Sequence, residues 1–346
     1  MTIVTKDPHT WFVAENSDGE KQTVYNNERY RHNYRIGFQI NGSDGSTPAV
    51  NSVTLYNMSK EHREFYEKKQ KCYIAFNWGT EKKILAQGFI KKVAINQSDG
   101  VTESFVIYFT EGTDYSNVAA RKIKVTKKKK VNNYKTVKKY VPGHWEKKRV
   151  RYTTVENGVS VGHYRYEKRY VKAGTVNKRV KTRSVKSYLV NRTFKKGTTY
   201  KKIIQTIANS AGMKISKIQL HKNPKIKKAF TAKGKPLTLL RSLVKPTESK
   251  LMYIGGKLVI VDPKSTKRTW VLIDDKDLKI PPSYNETNED TGEGIYEITI
   301  PLDPEVTINT GIKMKSKYLK GKYYVKAYQH LSDGEDPQTV CSLKAI

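Results

Sequence analysis

The chain has 346 residues and carries 66 Lys and Arg against 32 Asp and Glu, a formal charge of +34, so it adheres to polyanions in a salt-sensitive way. Its length exceeds what one hydrophobic core usually serves, and about two to four domains are expected. No apolar run approaches the roughly 18 to 20 residues that cross a bilayer as a helix, residues 1–8 lack the apolar core of a signal peptide, and folding in a cytoplasm is the expectation.

Residues 1–120 read as a first β domain with one helix. Ser-Asp-Gly stands at 17–19, 43–45 and 98–100, and again at 332–334. Asp-Gly supplies the positive φ angles of tight hairpins, which predicts four strand reversals. Alternating segments lie between them at 35–40, 52–56, 72–78, 84–95 and 104–109. In the third, Cys72, Ile74, Phe76 and Trp78 fall on one face and Tyr73, Ala75 and Asn77 on the other. Cys72 and Cys341 are too few and too isolated for a disulfide scaffold or a zinc site, and Cys72 reads as a buried thiol. Ser59 is placed to cap a short helix, with Glu61 in its first turn and Met58, His62, Phe65 and Tyr66 on one face.

Residues 121–190 differ from their surroundings. They hold 23 Lys and Arg against Glu146, Glu156 and Glu167, so a net +20 sits in one fifth of the chain. The stretch still has pattern: Arg149-Val150-Arg151-Tyr152, then Glu156-Asn157-Gly158, then Val159-Ser160-Val161 predict strand, tight turn, strand. Gly143-His144-Trp145-Glu146-Lys147-Lys148-Arg149-Val150 recurs loosely as Gly162-His163-Tyr164-Arg165-Tyr166-Glu167-Lys168-Arg169-Tyr170-Val171. A duplicated β-hairpin arm, inserted between two domains, accounts for both. Three uses fit the same residues. Lys and Arg can contact phosphates while aromatics stack on bases; Tyr, Val and Thr can be present simply as good strand residues while lysines keep an exposed edge soluble; or the arm can dock on an acidic protein surface. The candidate contacts with a partner or polyanion are Lys127, Lys128, Lys129, Lys130, Trp145, Arg149, Arg151, Tyr164, Arg165, Tyr166 and Arg169.

Residues 191–262 change to α plus β. Thr199 opens a helix whose Ile203, Ile204, Ile207, Ala208 and Ala211 share a face, and Gly212 follows where a left-handed cap is wanted. A second helix starts at Pro236, buries Leu237, Leu240, Leu243 and Val244, and stops at Pro246. Gly255-Gly256 joins two strands over 251–261. Residues 263–346 return to strands at 295–300, 306–308, 312–316 and 323–330, preceded by an acidic, loop-like stretch over 274–290. That predicts a second β domain.

Enzymatic constellations are missing from the sequence. There is no His-Glu-x-x-His helix, Cys-x-x-Cys pair, phosphate-cradling glycine loop or nucleophile elbow. His62 beside Glu61 and Glu64 reads as part of a solvated helix face. Asp274, Asp275 and Asp277 lack the glycine and distal glutamate of a calcium loop and read as an exposed acidic loop. No cofactor, metal or catalysis is expected.

The order of parts resembles the bacteriophage tail baseplate hub family, which includes late control protein D and its relatives. Three places carry the resemblance. The first is Val53-Thr54-Leu55-Tyr56-Asn57-Met58-Ser59, followed by Lys71-Cys72-Tyr73-Ile74-Ala75-Phe76-Asn77-Trp78 and Leu85-Ala86-Gln87-Gly88-Phe89-Ile90. The second is Phe194-Lys195-Lys196-Gly197-Thr198-Thr199-Tyr200 with Ala211-Gly212-Met213. The third runs from Thr299-Ile300-Pro301-Leu302-Asp303-Pro304 through Gly311-Ile312-Lys313 and Gly321-Lys322-Tyr323-Tyr324-Val325 to His330 and Gly334. The resemblance implies a structural subunit of mainly β fold with a small α+β module. It implies two tail-tube-like β-barrel domains, 1–120 and 263–346, in a homotrimer whose six barrels ring a lumen. The implied partners are a tail tube or distal tail protein, a spike and a tape measure protein, in a virion assembled in the host cytoplasm, with transient DNA contact. The arm departs from the family's usual length, so nothing about it carries over. A basic lumen would retard DNA by counterion exchange, which places the arm outward. The competing class is a nucleic-acid-binding protein that uses the arm.

Overall fold

Apolar residues alternate with period two through most of the chain, and strands follow from that pattern. The computed structural model describes residues 7–26, 34–94, 97–98, 100–265, 267–285 and 294–346. The chain divides into two units: Met1–Ile123 with Asn191–Ile346, and Lys124–Val190.

The larger unit begins with β1 (His9–Glu15), β2 (Lys21–Tyr25), β3 (Ile36–Ser43), β4 (Val50–Tyr56), α1 (Lys60–Glu64), β5 (Lys71–Asn77), β6 (Lys83–Val93), β7 (Gln97–Ser98) and β8 (Glu103–Glu111). The smaller unit is four long strands: β9 (Val125–Val141), β10 (His144–Glu156), β11 (Val159–Val171) and β12 (Gly174–Val190). The larger unit resumes with β13 (Thr193–Phe194), α2 (Tyr200–Ala211), β14 (Ile215–Ile218), β15 (Phe230–Thr231), α3 (Pro236–Val244), β16 (Lys250–Ile254) and β17 (Lys257–Val261). It closes with β18 (Trp270–Ile273), β19 (Ile280–Asn285), β20 (Ile295–Pro301), β21 (Gly311–Lys315), β22 (Lys320–Ser332) and β23 (Gln338–Ala345). The fold is mainly β with few helices.

Among the described residues, fourteen strands of the larger unit make one sheet, whose main path runs β19-β20-β23-β22-β3-β4-β8-β6-β5-β1-β2. The link between its halves is the antiparallel pairing of β22 with β3, from Ala327 opposite Ser43 to Ser332 opposite Phe38. Three apolar cores support it. One gathers Phe12, Ile74, Phe76 and Phe109 with Leu302 from the far end of the sequence. A second sits under α2 and α3 and includes Ile123. The third joins Met252, Val259 and Val261 to Ile298, Ile312 and Val325, so the α+β segment shares a core with the last strands.

The helices form where the signals stand. Thr199 caps α2 by accepting from the Lys202 N–H, and its buried face is Ile203, Ile204, Ile207, Ala208 and Ala211. Gly212 ends it at φ 69° and returns N–H bonds to Ala208 and Asn209. We expect Gly212→Ala to cost about 1 kcal/mol, because an L side chain is disfavoured there, read as a lower urea midpoint at unchanged slope. Pro236 opens α3, which buries Leu237, Leu240, Leu243 and Val244 as expected, and Leu239 in addition. Ser59 caps α1, although none of that helix's five residues is buried.

All five strands expected before residue 110 form, as β3, β4, β5, β6 and β8, with Ile95 outside the described residues. β5 buries Cys72, Ile74 and Phe76 but also Ala75, so it is covered on both faces. Of the Ser-Asp-Gly turns, 17–19 and 332–334 link neighbouring strands, with Gly19 and Gly334 at positive φ. The turn at 98–100 includes Asp99, outside the described residues. The turn expected at 43–45 is not a tight reversal: the Asp44 N–H donates to the Lys326 carbonyl and its carboxylate pairs with Lys250, so the connection is drawn along β22 before β4 begins.

Two expectations for the last third are corrected. Residues 306–308 form no strand; Val306 and Ile308 are buried from turns set by Asp303, whose carboxylate takes the Glu305 N–H. The stretch expected to be loop-like contains β19, paired with β20 but broken in register between Ile280 and Ser283. Pro281 and Pro282 fill that break, and prolines fit an outermost strand that has no second ladder to serve. Residues 286–293 lie outside the described residues. Among the strands without a counterpart in the sequence reading are β1, β2, β14, β18 and β23.

Candidate interaction surface on the basic arm

The arm is two ribbons in series. β9 pairs with β12 over 17 rungs, from Val125 opposite Val190 to Val141 opposite Gly174. β10 pairs with β11 over 13 rungs, from His144 opposite Val171 to Glu156 opposite Val159. The terminal turn is Asn157-Gly158, with φ 50° and 76°, the left-handed pair that a two-residue hairpin requires. The two copies of the sequence repeat therefore lie antiparallel against one another.

Side chains opposite one another in a ladder stand on the same face, and faces alternate along each strand. This sorts the distal ribbon by chemistry. One face carries Trp145 opposite Tyr170, Lys147 opposite Lys168, Arg149 opposite Tyr166 and Arg151 opposite Tyr164. It holds no carboxylate. The other face carries Glu146 opposite Arg169, Lys148 opposite Glu167, and Glu156, so all three acidic residues of the arm share it.

Contacts follow the same division. On the basic face the Arg149 guanidinium lies 3.8 Å from the centre of the Tyr164 ring, and Trp145 and Tyr170 meet edge to face at 5.2 Å. Gly162 leaves space across which Arg151 lies, since a Cβ there would come within 2.9 Å of its guanidinium. On the mixed face Arg165 bonds Glu167 at 2.6 Å and reaches over Tyr152, and His163 stands 3.4 Å from Glu156.

The sequence-derived candidates are thus divided by the structure. Trp145, Arg149, Arg151, Tyr164 and Tyr166 come together on the basic face, while Arg165 and Arg169 stand on the mixed face beside carboxylates. Lys127 to Lys130 lie in β9: Lys127 and Lys129 take one face and Lys128 and Lys130 the other, with Lys129 directly opposite Lys186. Neither β9 nor β12 contains an acidic residue. The sequence reading passed over Lys147, Lys168 and Tyr170, which complete the basic face. Their signal was available as two-residue alternation about the Asn-Gly turn.

Elsewhere several ionisable groups among the described residues make local structural contacts. Asp275 accepts from the Ser316 hydroxyl at 2.6 Å and the Lys317 N–H at 3.1 Å, and that hydroxyl bond above all holds its carboxyl below the usual range. Asp277 is buried and accepts from the Asp274 N–H, whereas Asp275 is exposed, so the expected exposed acidic loop holds at Asp275 and fails at Asp277. His62 is exposed and bonds its own cap, Ser59, at 3.1 Å. Burial pushes the Cys72 thiol up to about 12. His330, 1 % exposed and bonded to Thr339 at 2.8 Å, is pushed down to about 3 by burial. Glu111, at the end of β8, is pushed up to about 7 by burial, partly offset by hydrogen bonds from Asn51 and the Gly256 N–H.

By sequence, no family model and no curated protein matches the chain. By structure, it superimposes on the 43 kDa tail protein of prophage MuSo2 from Shewanella oneidensis with a TM-score of 0.54 at 11% identity, covering 98% of each chain. The fold is that of a phage tail protein. A second such structure, a tail protein from Neisseria meningitidis MC58, aligns with a TM-score of 0.50 at 9% identity over 97% of this chain and 96% of its own. Identity this low puts the likeness in strand order and packing rather than in shared side chains.

Proposed function

We propose that the chain is a non-enzymatic structural subunit of the baseplate hub in the tail of a phage or phage-like particle. The observation that carries this reading is the alignment over nearly the whole of both chains with a prophage tail protein. In the proposed arrangement, residues 1–120 and 263–346 are two tube-type barrel domains, residues 191–262 are a small module beside them, and residues 121–190 are an inserted arm. A homotrimer then presents six similar domains around a lumen. One side matches a sixfold tail tube or distal tail protein, the other a threefold spike, and tape measure and genome pass between. Assembly takes place in the host cytoplasm and the protein remains in the virion tail. The ladder between β3 and β22 supports the reading, because it holds the two proposed domains at a fixed spacing.

The test is the mass in solution across salt concentrations, followed by electron microscopy of the largest species. The expected result is three times the 39.7 kDa chain mass, seen as a threefold ring with a central hole and a near-sixfold outline. A strict monomer at high concentration that also forms no ring with neighbouring tail proteins would overturn the proposal.

A further inference from the structure

The distal ribbon segregates charge more sharply than composition requires. Three carboxylates distributed at random over its two faces would all share one about one time in four. Here they do, and the opposite face is left with four cations and four rings. The rings are open to solvent: Trp145 is 68% exposed, Tyr166 69%, Tyr164 53% and Tyr170 50%. Aromatics are good strand residues, but rings this exposed gain little from burial, and lysine alone would protect the edges. The cation–π contact between Arg149 and Tyr164 extends the flat surface, since guanidinium and ring lie over one another.

We infer that this face of the β10–β11 ribbon binds single-stranded nucleic acid, with Lys and Arg on the phosphates and the exposed rings stacked on unpaired bases. The inference stands on the arm alone and does not depend on the tail assignment. Charge asks for a polyanion, and the rings decide which one. An acidic protein surface offers carboxylates to the cations but no flat partner for the exposed rings, whereas each nucleotide of a single strand brings a base with a π face and a phosphate. The four rungs from Trp145 to Arg151 run about 20 Å along the strands, so several nucleotides are contacted at once. A duplex would satisfy the cations but keep its bases stacked on each other.

The full-length protein is titrated into fluorescein-labelled oligothymidylate and a duplex of equal length, and binding is followed by anisotropy over a range of salt. Replacing Arg149 and Arg151 together by Ala is expected to weaken single-strand binding at least ~10-fold and to lower the slope of log affinity against log salt by roughly 1 to 2. Replacing Arg165 and Arg169 by Ala removes the same charge from the other face, and a change under ~3-fold is expected. Trp145→Ala with Tyr166→Ala leaves the charge untouched and is expected to cost ~10-fold or more on the single strand while sparing the duplex. Tyr166→Phe, which keeps the ring, is expected to bind as the unaltered protein does. Equal losses from the two arginine pairs, or no loss from the aromatic pair, would overturn the inference. So would a duplex bound as tightly as the single strand, or a Tyr166→Phe protein as weak as the alanine one. Displacement of the oligonucleotide by polyglutamate at equal charge would give the face to an acidic protein instead.

Discussion

Replacing residues 124–190 by a short loop is expected to abolish most adhesion to nucleic acid while leaving the rest of the chain folded. The deletion removes 21 of the 66 basic residues and three of the 32 acidic ones, taking the formal charge from +34 to +16. Since counterion release grows with each phosphate neutralised, affinity for any oligonucleotide at ~0.1 M salt should fall by more than ~100-fold, with a visibly shallower salt dependence. The fold should survive because none of the three apolar cores draws on residues 124–190. The ends to be rejoined are also neighbours, since Val125 and Val190 face each other across the first rung. Circular dichroism and thermal unfolding would check the fold, and anisotropy the binding. If the shortened protein failed to fold, the independence of the larger unit would be refuted. If it bound as before, the arm could not be the polyanion contact. Ring formation by the same variant separates the roles further, because assembly lost with binding merely weakened would mark the arm as a docking element.

Glu111→Gln is expected to stabilise the protein in alkali and to do little in acid. The Glu111 carboxyl ionises at about 7 in the folded chain, against 4.5 for a free carboxyl. A raised folded value means that the unfolded chain loses its proton first. The native state therefore gives up stability as pH climbs from 4.5 through 7, and is relatively favoured below that window. At 1.36 kcal/mol per unit the cost approaches about 3 kcal/mol by pH 8. The glutamine carries no charge to bury, so the variant should gain on the unaltered protein by about that amount between pH 4 and pH 8, read from urea midpoints. His330 acts in the opposite sense. Its folded value of about 3 lies below the usual 6.5, so its contribution is present above 6.5 and lost as pH falls toward 3. Together the two groups favour a broad stability maximum between about pH 4.5 and 6.5, where their opposing slopes cancel. A Glu111→Gln profile parallel to that of the unaltered protein would remove the carboxyl from this account.

Local chemistry was legible wherever one element decides its own form. α2 could be read from five apolar residues at helical spacing between Thr199 and Gly212, and the β16–β17 hairpin from Gly255-Gly256, because cap, period and turn all lie within about a dozen residues. What escaped depends on distant partners. β14 runs parallel to β17, and β18 parallel to β21, pairings that no nearby turn announces. β19 was concealed by two prolines that a central strand would not tolerate. Val306 and Ile308 were taken for strand because they alternate, but they point into a core from turns. On the arm, the hairpin and its repeat were visible, yet counting charge pooled Arg165 and Arg169 with Arg149 and Arg151. Register about Asn157-Gly158 separates them, because a strand exposes neighbouring residues to opposite sides.

The seam between β3 and β22 also sets a timetable. Asn41 and Gln329 bond at 2.9 Å although 288 positions separate them, and the strands between cannot complete their sheet until β22 exists. At about 5 to 20 residues per second, a ribosome holds β3 without its eventual neighbour for roughly 15 to 60 seconds. Such long-range pairing also closes slowly once the chain is free. During that interval β3 presents an open edge, so the newborn chain depends on chaperones, or on the speed of its own synthesis, to avoid pairing with another copy.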